Sequence, residues 1–208
     1  VAALVRRCVD AYGGPAAVAR AALRREEGTV TSLLHPGQRG RIVRAYARPA
    51  RLRVEVTFDG ETEVRVLDGD RGWRQGREAA GPHLVSMILQ AGRLDLPALL
   101  QAFAGRLADR GEVEADGKRL RALALELRPG VVLEADLDPA TGRILRSRGR
   151  AEGGMPVEFV TTYGDFRRVD GLLVAFHEGN WANGSTTGET VLTRVEVPGT
   201  LPDATFRP

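Results

Sequence analysis

The sequence is short of the residues from which most catalytic and metal chemistry is built. Cysteine occurs once, at Cys8, which excludes an intrachain disulfide and a cysteine-based metal site. Cys8 follows two arginines and stands at helical spacing with Leu4, Val5 and Val9. It therefore reads as a packing residue rather than a nucleophile or a lipid-attachment site. Histidine occurs three times, at His35, His83 and His177, far apart and without a metal-binding spacing such as HExxH. Each reads as a coil or rim residue. Asp136 and Asp138 lie two apart on one strand, but Asp138 precedes Pro139 at a turn, where an aspartate caps backbone N–H groups. There is no GxSxG, no Walker loop and no strand-to-helix GxGxxG. No stretch of eighteen apolar residues is present to span a membrane. Lysine occurs once, at Lys118, and the remaining basic residues are arginines interleaved with glutamate, with a formal net charge of +3. That pattern describes a mixed-charge surface and argues against nucleic-acid binding. The chain opens at Val1 inside a helical pattern, without a charged-then-apolar leader, so a mature or trimmed form with its signal removed is expected.

What is present is glycine, 25 residues, and short alternating stretches, in a chain of 208 residues that is 43% hydrophobic. This is the composition of one turn-rich β domain, 1–208. Helical spacing marks residues 2–12, which end at Gly13–Gly14, and 15–23, restarted by Pro15. After Arg24 the period changes to two. Residues 26–75 read as a meander of about five strands. In RLRVEVTF, Leu52, Val54, Val56 and Phe58 share one face, Asp59–Gly60 is a two-residue hairpin signal, and Val64 and Val66 are taken as facing inward too. Trp73 follows in the next strand.

The middle returns to helical spacing at 83–91 and 95–107, with Leu84, Met87 and Ile88 on one face and a break at Leu89–Gly92. Asp95 is expected to cap the second of these helices. Strands resume over 111–197, with Leu123 and Leu125 in register and Phe159 and Trp181 in later strands. About eleven strands joined by short turns imply an antiparallel meander. A large bent sheet must cover its apolar face, so the helices are expected to lie across it, giving a mainly β (α+β) half-barrel.

An ordered series of motifs resembles the LolA-like family of periplasmic lipoprotein-sorting carriers. The series comprises AYGG closing the first helix, Gly28 in EGTV, ARPARLRVEV, LDGDRGWRQ, ADLDPATGRILR, YGDFRRVDGLLVAF and the terminal DATFRP. The chain departs from the family pattern at Val174–Ala175, where homologues often carry proline after the VDG turn. The resemblance implies an incomplete antiparallel barrel of about eleven strands with helices as a lid over an apolar cavity. It implies a non-enzymatic, periplasmic, monomeric carrier of lipoprotein acyl chains or another lipid, without cofactor, metal or nucleic acid, working with a membrane-bound donor or acceptor protein. The alternative on the same fold is an envelope-stress sensor that binds lipoprotein or a protein partner. A lipid hydrolase would instead need a nucleophile and a base meeting at the cavity.

Each acyl methylene removed from water contributes about 0.8 kcal/mol, so area supplies affinity and the rim selectivity. The candidate cavity and lid residues are Val54, Val56, Phe58, Val64, Val66, Trp73, Leu84, Met87, Ile88, Leu123, Leu125, Phe159 and Trp181. The two tryptophans read equally as core or as cavity wall. Met87 and Ile88 are the leading lid candidates, because flexible apolar side chains adapt to varied acyl shapes. The dense polar stretch YGDFRRVDGLLVAFH reads as a hairpin turning at Asp170–Gly171 with its charges outward. Tyr163, Val174 and Phe176 are its candidates for inward orientation.

Overall fold

The computed structural model describes residues 1–151 and 157–208. Pro156, read from sequence as the start of a strand, lies outside the described residues. The chain begins with α1 (Ala2–Ala11) and α2 (Gly14–Arg20). A first meander follows: β1 (Leu23–Ser32), β2 (His35–Ala47), β3 (Arg51–Phe58), β4 (Glu61–Asp68), β5 (Arg71–Arg74) and β6 (Arg77–Ala79). Then come α3 (Gly81–Leu94) and α4 (Leu96–Ala102). A second meander runs β7 (Ala108–Ala115), β8 (Lys118–Arg128), β9 (Val131–Leu137), β10 (Ile144–Ala151), β11 (Glu158–Val169), β12 (Leu172–Ala182) and β13 (Ser185–Glu196). A 3-10 turn, Asp203–Phe206, ends the chain.

Among the described residues the thirteen strands form one antiparallel sheet in the order β6-β5-β4-β3-β2-β1-β13-β12-β11-β10-β9-β8-β7. The two meanders meet where β1 pairs with β13. The sheet stays open because its two edge strands, β6 and β7, are joined by α3 and α4 rather than by each other. Both edges carry charge, Arg77 and Glu78 on one, Asp109, Arg110, Glu112 and Glu114 on the other, which discourages further strand addition. Thirteen strands are more than the eleven or so expected from sequence; β6, one strand not read there, has three residues, too few to show alternation.

The hairpins follow from their turns. Asp59–Gly60, Asp116–Gly117, Asp170–Gly171 and Asn183–Gly184 all place two successive residues at positive φ. This is the two-residue turn whose twist matches that of the flanking strands. Gly13 also has φ 111°, and a Cβ there would stand 2.2 Å from the Gly171 carbonyl oxygen. That close approach sets the α1–α2 junction directly on the β11–β12 turn, and Leu173 N–H donates to the Tyr12 carbonyl there at 3.2 Å.

The main core lies on the concave face. Val5, Cys8 and Val9 of α1 with Tyr12 just after it, Met87, Ile88 and Leu89 of α3, and Leu100 of α4 meet Leu52, Val54, Leu67, Leu123, Leu125, Leu133 and Leu137 of the sheet. Cys8 is fully buried there and burial pushes its thiol up to about 12. α3 sits close to the sheet because Gly149 offers no side chain: a Cβ there would come within 2.6 Å of Leu89. Contrary to the expected break at Leu89–Gly92, α3 continues to Leu94, and the change of direction falls at Asp95. α2 ends at Arg20, short of residue 23, and α4 ends at Ala102, short of 107.

Asp95 occupies the expected cap position of α4 but makes no capping hydrogen bond. Its carboxylate instead accepts from Arg48 Nε and Nη2, each at 2.6 Å, and from the Tyr46 hydroxyl at 3.1 Å. Arg48 also donates to the Val18 carbonyl at 3.0 Å, so one ion pair joins β2, α2 and the α3–α4 junction. The convex face has its own cover at one end, where Phe206 packs with Ala45, Ala47, Leu23 and Leu201. Arg53 donates to the Arg207 carbonyl at 3.2 Å, and the Arg51 guanidinium stands 4.9 Å from the centre of the Phe206 ring.

Candidate functional site

The concave face is not filled throughout. Between α3 and strands β1–β5 and β11–β13 lies a cavity of about 640 Å³, within the range of pockets that take one small ligand. Its apolar wall is Val30, Ile42, Val56, Phe58, Met87 and Phe159. One end is framed by hairpins: Leu34 and His35 at the β1–β2 turn, Phe58 and Glu61 at β3–β4, and Ala182 beside the β12–β13 turn. Leu33 and Leu34 are 59% and 83% exposed at that mouth, and His35 stacks on Phe58 with ring centres 4.1 Å apart. A smaller chamber of about 60 Å³ adjoins it, bounded by Tyr12, Val18, Leu96, Ile144, Leu172 and Val174, and shares Arg93 and Glu178 with the large cavity.

The floor is charged. Arg44 donates from Nη1 to Glu178 Oε2 at 2.8 Å and from Nη2 to Oε1 at 3.1 Å. Its Nε stands 2.8 Å from Glu26, which Arg24 approaches to 2.9 Å. Burial opposes the Arg44 charge, but Glu178 and Glu26 outweigh it and raise the guanidinium's pKa. Burial would likewise raise Glu178, yet the charge and hydrogen bonds of Arg44 hold it below the usual carboxylate range. Tyr163 bonds through its hydroxyl to Ser147 at 2.7 Å, and burial pushes that phenol up to about 12. Arg65 reaches Glu63 at 3.2 Å, and Arg74 Nε donates to the same carboxylate at 2.9 Å. Among the described residues no group of three His, Cys, Asp or Glu is placed to hold a metal ion.

Of the thirteen residues singled out in the sequence, Val56, Phe58, Met87 and Phe159 line the cavity. Trp181 is among the lining residues too, and its ring lies over Gly179. Val54, Leu84, Ile88, Leu123 and Leu125 belong to the concave-face core, packed between helices and sheet rather than lining the cavity. Val64, Val66 and Trp73 are on the other side of the sheet. The β3–β4 register pairs Val54 with Arg65 and Val56 with Glu63, so Val64 and Val66 stand opposite Glu55 and Arg53. Trp73 pairs with Val66 and shares that face.

The polar residues of the floor were not singled out. They are Arg44, Arg65, Arg93 and Glu178. The turn at Asp59–Gly60 could have found Arg65, since a two-residue loop fixes which residues stand opposite.

The YGDFRRVDGLLVAFH hairpin behaves as read. Asp165 and Arg167 pair on the exposed side at 2.6 Å, and Tyr163 and Val174 line the inner chamber. Phe176 packs in a separate cluster with Leu192 and Val195. Asp138 accepts from Ala140 N–H and the Thr141 hydroxyl, each at 2.8 Å, as the cap of its turn. Asp136 is fully buried between Arg146 at 2.5 Å and Arg148 at 3.0 Å, on the face opposite the cavity.

An open antiparallel sheet curved around helices, with a ligand-sized cavity on its concave side, defines a half-barrel fold. The LolA superfamily protein NE2245 from Nitrosomonas europaea has it: the two superpose with a TM-score of 0.61 over 98% of this chain and 96% of that one, at 13% identity. A DUF1329 family protein from Desulfovibrio piger aligns over 100% of this chain and 97% of its own, with a TM-score of 0.52 and 11% identity. The chain thus has the LolA-like fold, as the ordered motifs implied. No family model matches the sequence, and no curated protein does. Among the described residues no helix is long and apolar enough to cross a membrane.

Proposed function

We propose that the protein is a non-enzymatic carrier that takes an acyl chain, of a lipoprotein or another lipid, into the cavity beneath α3 and ferries it through the periplasm toward the outer membrane. The observation that carries this reading is the cavity itself. It is of ligand size, opens between hairpin turns, and has an apolar wall from Val30 and Val56 to Phe159. The LolA-like fold supports it. α3 is the lid, with Met87 the side chain that an entering chain displaces. A membrane-bound donor and acceptor complete the cycle.

The test is uptake of a fluorescent fatty acid by the purified protein and by a Val56→Trp variant, whose indole fills the cavity. Saturable uptake by the parent and its loss in the variant, with an unchanged thermal melt, are expected. Absence of uptake by the parent overturns the carrier reading.

A further inference from the structure

The cavity holds more arginine than its carboxylates can serve. Four of its lining residues are arginines (Arg44, Arg65, Arg74, Arg93) and three are glutamates (Glu61, Glu63, Glu178). Glu61 is exposed at the β3–β4 turn, Glu63 is shared by Arg65 and Arg74, and Glu178 is taken by Arg44. Arg93, in the last turn of α3, has neither a hydrogen bond nor an ion pair within 4.0 Å among the described residues. It is half-buried and lines both the large cavity and the smaller chamber. Burial lowers the pKa of Arg93, which Tyr163 and Glu178 oppose and Arg44 reinforces, and burial lowers that of Arg65, which Glu63 opposes and Arg74, Arg44 and Arg93 reinforce. A guanidinium keeps its proton in such places and its charge must be met by something. Arg65 Nε is buried and stands 3.2 Å from Glu63 without a hydrogen bond to it.

The polarity of the cavity runs the wrong way for a chain entering by its methyl end. At the hairpin mouth Leu34 and Phe58 stand with His35 and Glu61, whereas Arg93 lies where the cavity meets the smaller chamber. Hydrocarbon pushed to the bottom would leave the guanidinium desolvated and still unpartnered. An acid group placed there would accept charge-assisted hydrogen bonds from donors already in position.

Resting on the lipid-binding reading, we infer that the natural ligand is a single-chain amphiphile with a free anionic end, bound acid-first. Its carboxylate or phosphate docks on Arg93 within reach of Arg65, and its tail runs outward along Met87, Val56 and Phe58 to the mouth. This narrows the ligand class from acyl chains in general to those whose acid group is not consumed in a linkage.

Calorimetric titration with dodecanoate, dodecyl phosphate and dodecanol, at about pH 8 where both acids are ionised, tests the inference. At least one acid is expected to bind about tenfold or more tighter than the alcohol, the scale of a charge-assisted hydrogen bond to a buried group. The stronger of the two acids identifies the headgroup. Arg93→Gln, and Arg93→Met, which keeps the apolar stem, should each lower acid binding to the level of the alcohol and so abolish the preference. Equal binding of acids and alcohol by the parent overturns the acid-first inference and leaves the carrier reading standing. Preference that survives both variants overturns the assignment to Arg93. Failure of all three ligands to bind overturns both the inference and the reading on which it rests.

Discussion

Glu178→Gln tests whether the charged floor of the cavity is part of what holds the sheet together. The carboxylate receives a two-pronged contact from Arg44 at 2.8 and 3.1 Å, joining β2 to β12 across β1 and β13. The Arg44 side chain is 4% exposed and that of Glu178 12%, so water does not replace the lost contact. Breaking a buried pair by removing one partner costs about 3–5 kcal/mol. Glutamine keeps an acceptor and Glu26 still faces Arg44, which places the cost near the lower figure, about 3 kcal/mol. For a chain of this length that is a fall in melting temperature of roughly 6–12 °C.

The pH dependence follows from the direction of the shift. Glu178 is held below its ordinary value of 4.5, so its stabilising contribution is complete above that value and is lost as pH falls through the folded-state value beneath it. Thermal melts of parent and variant should therefore differ by the full amount at neutral pH, and the gap should close as the solution is acidified below pH 4.5. A variant that melts with the parent at neutral pH, or a gap that persists unchanged in acid, would refute the reasoning.

Asp95→Ala removes the acceptor shared by Arg48 and Tyr46 at the α3–α4 junction. It should cost about 1.5–3 kcal/mol in chemical denaturation, with faster amide exchange in α4; denaturation at the parent's midpoint would count against the clamp. Gly149→Val forces atoms into the space Leu89 now fills and should cost about 1–3 kcal/mol by lifting α3 from the sheet. An unperturbed melt there would mean that α3 is not seated on Gly149.

The strands and their turns were legible because each follows from local chemistry. Asp59–Gly60, Asp116–Gly117 and Asp170–Gly171 write two-residue hairpins directly into the chain, and the alternation around them is regular. The open half-barrel also followed, since four amphipathic helices had to cover a sheet face. The faces themselves were harder to assign. Val54 and Val56 point inward and Val64 and Val66 outward, although all four look alike in alternating strands, because both sides of this sheet are covered. The chain's last residues supply the second cover, with Phe206 against Ala45 and Ala47. A sequence-local rule carries no information about a segment that returns from the far end.

The same assumption hid the site. Arg44, Arg65, Arg93 and Glu178 occupy positions that an apolar-inside rule assigns to solvent, and they are inside because they satisfy one another, except where Arg93 stands alone. Asp95 shows the reverse case: its position at the start of α4 was evident, but its carboxylate serves Arg48 and Tyr46 instead of the helix end.

Native mass spectrometry of the protein purified from its own cell envelope, followed by lipid extraction, addresses the carrier function most directly. The expected result is a protein population heavier by one bound lipid or lipoprotein, released on denaturation. Recovery of protein at its bare mass alone, from an envelope that retains its lipids, would contradict it.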